Sequence, residues 1–305
     1  MEAHEANKDR IEIDEYGIAR YGMVFVGDDL VENLNGYAYN KPIKASKEIN
    51  DYFKKTFTYE GEDSNINSVA LGINEDSVSA ADDNCVLAIF SFLGGIRTNL
   101  ETFFVWQAAN VLWRMEHGEL PENLDVNIFW LILGTSDLSR GGCSEEAVVL
   151  GILRVAEEIH TKFPQAVVVI QGILPRTSRD DGTLEPRSVH KKLLGKHHNE
   201  KYYANMAQHA FLLWPSIQAI NTELAKFCED HDYFVYFDAA ALFLEDHRDP
   251  TIGQTHKIIK KLMPDSVHPS LAGWEVLGNA IEQEYNRIVL DEDEENEIVE
   301  MEDDE

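Results

Sequence analysis

Five short, unbroken apolar runs, spaced by helix-length segments, constrain this chain more than any other feature. They are 23–28 (MVFVGD), 86–93 (VLAIFSFL), 128–133 (IFWLIL), 166–171 (AVVVIQ) and 233–237 (YFVYF). A strand that is apolar on both faces must be covered on both faces, which happens when helices pack on either side of a parallel sheet. Helices read between the runs at 45–57, 99–117, 144–163, 217–228 and 271–289. In 99–117, Leu100, Phe103, Phe104, Ala108, Val111, Leu112 and Met115 keep a helical period, with Gly118 as the stop. Ser144 followed by Glu145 and Glu146 is a helix start. Strands alternating with helices predict an α/β fold: a three-layer α/β/α sandwich on a five-stranded parallel sheet, flavodoxin-like, with right-handed crossovers.

The rest of the chain is punctuation around that alternation. Residues 1–20 are charged and aperiodic, an N-terminal extension to a domain spanning 21–290. Two stretches, 58–84 and 177–215, read as surface insertions. Residues 291–305 hold eleven acids and no Lys or Arg, and such a segment is expected to be disordered. The formal charge of -29 opposes phosphate backbones and anionic lipid, so neither nucleic acid nor a membrane is expected as a partner. No apolar run approaches the roughly 20 residues of a membrane helix, and the start lacks a signal-peptide pattern. Cys85, Cys143 and Cys228 show neither disulfide nor metal spacing, so free thiols and a cytoplasmic protein are expected. Within 177–203, Arg187, Lys191, Lys192, Lys196 and Lys201 form a basic island, either a solvated insertion or a lid for an anion. Nearby His197, His198 and Glu200 lack metal-ligand spacing, and no cofactor is expected, because no Gly-rich phosphate fingerprint follows the first strand.

In such sheets, functional groups collect beyond the carboxyl ends of the strands. Those ends here are Gly27-Asp28-Asp29-Leu30, Gly94-Gly95, Gly134-Thr135-Ser136-Asp137 and Gly172 through Arg176. Before the last helix stands Asp265-Ser266-Val267-His268, in which the carboxylate can take the imidazole Nδ1 proton and leave Nε2 as a base. Asp28 and Asp137 read as caps for the following helices, or else converge with Asp29 and His268 on a hard cation. Cys143 reads as a buried, inert thiol rather than one activated by the helix that follows.

Together these blocks resemble those of the SGNH (GDSL) hydrolases. Residues 111–120 (VLWRMEHGEL), with Phe163-Pro164-Gln165-Ala166 and Gly172-Ile173-Leu174-Pro175-Arg176, look like the catalytic subunits of intracellular platelet-activating-factor acetylhydrolase. The resemblance implies an SGNH hydrolase fold in which Asp265 and His268 complete a triad and Gly95, beside Gly94, gives an oxyanion N–H. It puts Asp29 where the family has its nucleophilic Ser, and Ser136 where it has an Asn. A carboxylate attacking an ester makes an anhydride and sets negative charge beside the developing oxyanion, so the implied carboxyl-ester (acetyl-ester) hydrolase activity is expected to be impaired or lost. One alternative is an active hydrolase with Asp29 as nucleophile and His268 with Asp265 activating water. Another is a non-catalytic binding or interaction protein. The implied partners are a small-molecule ester or related ligand and, since family members dimerise and bind a WD-repeat protein, a homodimer or protein partner.

Overall fold

The computed structural model describes residues 2–38, 41–42, 44–58, 66–72, 107–139, 143–177, 179–184, 213–250 and 252–303. In chain order its first half holds helix α1 (Glu2–Lys8), strand β1 (Ala19–Gly27), helix α2 (Asp29–Leu34), helix α3 (Lys44–Phe57), strand β2 (Ser68–Gly72), helix α4 (Gln107–Glu116) and strand β3 (Leu124–Ile132). Then come helices α5 (Thr135–Ser139) and α6 (Glu145–Lys162), strand β4 (Val167–Gln171), helix α7 (Leu213–Glu229), strand β5 (Phe234–Phe237), strands β6 (Leu244–Asp249) and β7 (Gly253–Ile258), and helix α8 (Leu271–Asp303).

Strands β1 to β5 form a single sheet in the order β2-β1-β3-β4-β5, with every neighbour parallel. The register pairs Gly27 with Gly72 on one side and with Ile132 on the other, so three strands end at one level on one edge of the sheet. The centre is packed from both faces, as all-apolar strands require. Phe25 meets Phe53 and Phe57 of α3 edge-on, both at 5.6 Å. Trp130 is fully buried and donates its indole N–H to Gln171 Oε1 at 3.0 Å, so its one polar atom is satisfied inside the core. The predicted cap of α6 is present, with Ala147 N donating to Ser144 Oγ at 3.2 Å.

Two expectations need correction. Residues 58–84 are not simply a surface insertion, because Ser68–Gly72 lies within them as a buried strand of the sheet. Its apolar core is only VAL between polar neighbours, too short to stand out by periodicity. The expected strand at 86–93, with Gly94 and Gly95, lies outside the described residues, as does the basic island at 187–201. The acidic tail, expected to be disordered, continues α8 as helix to Asp303. Glu is a good helix former, and extending an existing helix avoids the cost of nucleation. Within the other insertion, Thr183 bridges to Lys257 of β7. The β6–β7 hairpin itself was not anticipated: its strands are only half-buried and mostly polar, and give no apolar run. Among the described residues no helix is long and apolar enough to cross a membrane.

Candidate functional site

The site is built where the β1–α2 turn meets the loop before α8. Asp28 follows β1 and caps α2, its Oδ1 accepting from Leu30 N at 3.3 Å. Asp29 is therefore the first residue of α2, and 6% exposed. The turn is tight enough to exclude side chains: a Cβ on Gly27 would collide with Ile132 O and Val31, and one on Gly72 with the backbone of Val31 and Glu32. Asn33 Nδ2 donates to Asp29 O at 2.8 Å, and Ser46 Oγ of α3 donates to Asn33 Oδ1 at 2.6 Å.

Across from it the 265–268 turn is wired by itself. Asp265 Oδ1 accepts from Val267 N at 2.9 Å and His268 N at 2.8 Å, while Oδ2 lies 2.7 Å from His268 Nδ1. Between them Ser266 takes φ 61°, a left-handed conformation that costs a non-glycine residue on the order of 1 kcal/mol. Its hydroxyl accepts from Lys260 Nζ at 2.6 Å. This turn carries His268 Nε2 to 3.5 Å from Asp29 Oδ2, so the imidazole is held between two carboxylates.

The electrostatics follow from that placement. Burial works against a charged His268, but hydrogen bonds and charge from Asp265 and Asp29 outweigh it and raise the imidazole from 6.5 to about 9. Burial likewise opposes ionisation of Asp265, yet the His268 bond and the two backbone N–H groups bring it well below the usual carboxylate range. Asp28 goes the other way, pushed far above that range by full burial, then by the charge and hydrogen bond of Asp29 and the charge of Asp137.

The structure thus brings Asp29, Asp265 and His268 together, with Asp28 and Asp137 behind Asp29. Asp28 caps the next helix as the sequence suggests, whereas Asp137 reaches back, its Oδ1 accepting from Gln107 N, the first residue of α4, at 2.6 Å. Ser136 is buried in the first turn of α5, and Gly95 lies outside the described residues. Arg176, from the β4 end, donates to Ser139 Oγ at 2.7 Å and Thr135 Oγ1 at 3.5 Å, bracing the short helix that holds Ser136. Among the described residues no group of three or more His, Cys, Asp or Glu has the geometry to hold a metal ion. Cys143 is half-buried, and burial with the Asp137 charge pushes its thiol up to about 12, the reverse of activation. Asp29, Asp265 and His268 open onto a cavity of about 630 Å³ whose other walls are largely apolar, among them Ile49 of α3 and Pro264, Pro269 and Leu271 of the α8 approach.

Solved structures that superpose on this chain identify the fold. A GDSL-like lipase from Bacteroides thetaiotaomicron superposes over 94% of this chain and 97% of its own, with a TM-score of 0.53 at 11% identity. A Bacteroides fragilis protein described as an acylhydrolase does so over 93% and 94%, at 0.51 and 12%. The fold is that of the SGNH (GDSL) hydrolases. In sequence, platelet-activating factor acetylhydrolase IB subunit alpha2 of Gallus gallus is 39% identical over 67 residues, 22% of this chain and 28% of that protein. The Homo sapiens alpha2 subunit is 31% identical over 85 residues, 28% and 35%. The matched stretch is thus about a third or less of these relatives' length. No family model matches the chain.

The site residue that sequence reasoning missed is Arg114, fully buried beneath the β1–α2 turn. It sits in 111–120, which the resemblance picked out without giving the arginine a role. Nothing in the local pattern around Gly118 marks it for burial.

Proposed function

We propose that this chain is an SGNH-fold relative of carboxyl-ester hydrolases whose serine-esterase chemistry is impaired, and whose cleft has been kept to bind a small-molecule ester or related ligand. One observation carries the reading. His268 Nε2, the nitrogen that would take a proton from a nucleophilic hydroxyl, faces the Asp29 carboxylate at 3.5 Å, and the paired carboxylates hold the ring at about 9. An imidazolium at neutral pH has no lone pair with which to act as a base. The negative Asp29 also repels the oxyanion that ester attack would build. Ser136 in the Asn position of the resemblance removes an amide donor whose loss typically costs on the order of 10²–10³ in rate. The sequence relatives are named as acetylhydrolase subunits, which supports an ester-bearing ligand, and a homodimer or protein partner belongs to the same proposal.

Short-chain p-nitrophenyl esters and a fluorophosphonate probe test it. The unmodified chain is expected neither to turn over the esters nor to be labelled, while Asp29→Ser gains labelling and Asp29→Ser with Ser136→Asn gains a further factor of about 10²–10³ in turnover. Robust labelling of the unmodified chain at any serine would overturn the proposal.

A second reading is favoured by the same pair. A buried carboxylate at the cavity edge beside an imidazolium suits an epoxide. Asp29 oxygen bonds to the epoxide carbon, the C–O bond breaks, and the alkoxide takes the proton of His268 Nε2. The now neutral imidazole then takes a proton from the water that hydrolyses the alkyl ester, releasing a diol and restoring both groups. Quenched turnover should leave a mass adduct on Asp29, and no adduct across a broad epoxide panel rejects this route.

A further inference from the structure

Beneath the β1–α2 turn lies an ion pair that takes no part in the chemistry above. The Arg114 side chain is 2% exposed and that of Glu119 1%, and Nη1 of the arginine lies 3.0 Å from Glu119 Oε1. Two further hydrogen bonds of the guanidinium reach strand ends. Nη2 donates to Gly27 O at 2.9 Å and Nη1 to Leu71 O at 3.4 Å, the carbonyls next to the Asp28-Asp29 turn and to Gly72. Glu119 is held in turn by Asn7 Nδ2 of α1 at 3.3 Å.

We infer that Arg114 is a positioning residue for this site: by fastening the carboxyl ends of β1 and β2 together, it sets where Asp29 stands against His268. The turn leaves little slack, since Gly27 and Gly72 are both pressed against neighbouring backbone. A guanidinium is a rigid planar fork able to hold two carbonyls and a carboxylate at fixed angles, which a single ammonium cannot reproduce. Stability alone is a poor account of the pair, because a buried ion pair is often no more stabilising than well-packed apolar residues of the same volume. Its geometric effect is specific, because an error of about 1 Å in such a constellation changes what the groups can do to one another.

The inference rests on the Asp29–His268 pairing used in the proposed function, and an NMR titration of His268 in the full chain tests both separately. The unmodified protein should titrate near 9, and Asp29→Asn should fall toward 6.5. Arg114→Lys, which keeps the charge but not the fork, should move His268 the same way by about one unit, with circular dichroism unchanged. A folded Arg114→Lys protein whose His268 titrates like the parent overturns the inference and leaves the pairing standing. If Asp29→Asn itself leaves His268 unmoved, the pairing and the inference fall together. In the unmodified protein, Arg114 Nη protons should exchange far more slowly than those of the exposed Arg154. Equal rates overturn the inference even if no Arg114 variant folds.

Discussion

The two turns that meet at His268 are built on opposite plans. The 265–268 turn is local: one carboxylate accepts two backbone N–H groups and an imidazole within four residues, and its side chain is 54% exposed. The β1–α2 turn is buried and held from afar, by Arg114 from 87 residues along the chain and, through Glu119, by Asn7 of α1. A locally wired turn can form with little help from the rest of the fold, whereas a remotely wired one exists only once the sheet is assembled. The site therefore pairs a nearly self-sufficient histidine with an acid whose position depends on long-range packing.

The largest expected effect tests the remote plan. Glu119→Ala leaves the Arg114 charge buried and uncompensated, which should cost about 3–5 kcal/mol in a denaturant titration. A loss under about 1 kcal/mol would mean that the turn does not depend on its distant anchor. Next is the contact between the plans. The folded pKa of His268 is raised, so its contribution to stability is fully present below 6.5 and is lost as pH rises through about 9. The unmodified chain should lose on the order of 2 kcal/mol across that window, and Asp29→Asn should flatten the slope. An unchanged slope in the variant would assign the whole effect to Asp265.

The same division explains what the sequence made legible. Asp265-x-x-His268, the Ser144 cap and four of the five sheet strands are local patterns, and each is found where the residues predict it. The strand at Ser68–Gly72 escapes because three apolar residues carry no period, and only pairing with β1 makes them a strand. Glu119 and Arg114 look in the sequence like charges on a helix and its exit, and nothing nearby says that the sheet's end will close over them. The pairing of Asp29 with His268 was readable as a resemblance between blocks, but its consequence, a ring held between two carboxylates, needed the 3.5 Å contact.

The smallest expected effect tests the local plan. In Asp265→Asn the amide oxygen can still accept from Val267 N and His268 N, and what goes is the charge-assisted bond to Nδ1. Because the Asp265 side chain is half exposed, the loss at pH 7 should be about 0–1 kcal/mol, well below that of Glu119→Ala. Its pH dependence has the opposite sense to that of His268. Asp265 is depressed in the folded chain, so its contribution is present above the ordinary carboxylate range and lost as pH falls from that range to the lower folded value. The variant and the unmodified chain should therefore begin to converge in stability only below about pH 4, and keep converging as the pH falls further. A loss at pH 7 as large as that of Glu119→Ala would make the exposed turn, rather than the buried one, the structural anchor of the site.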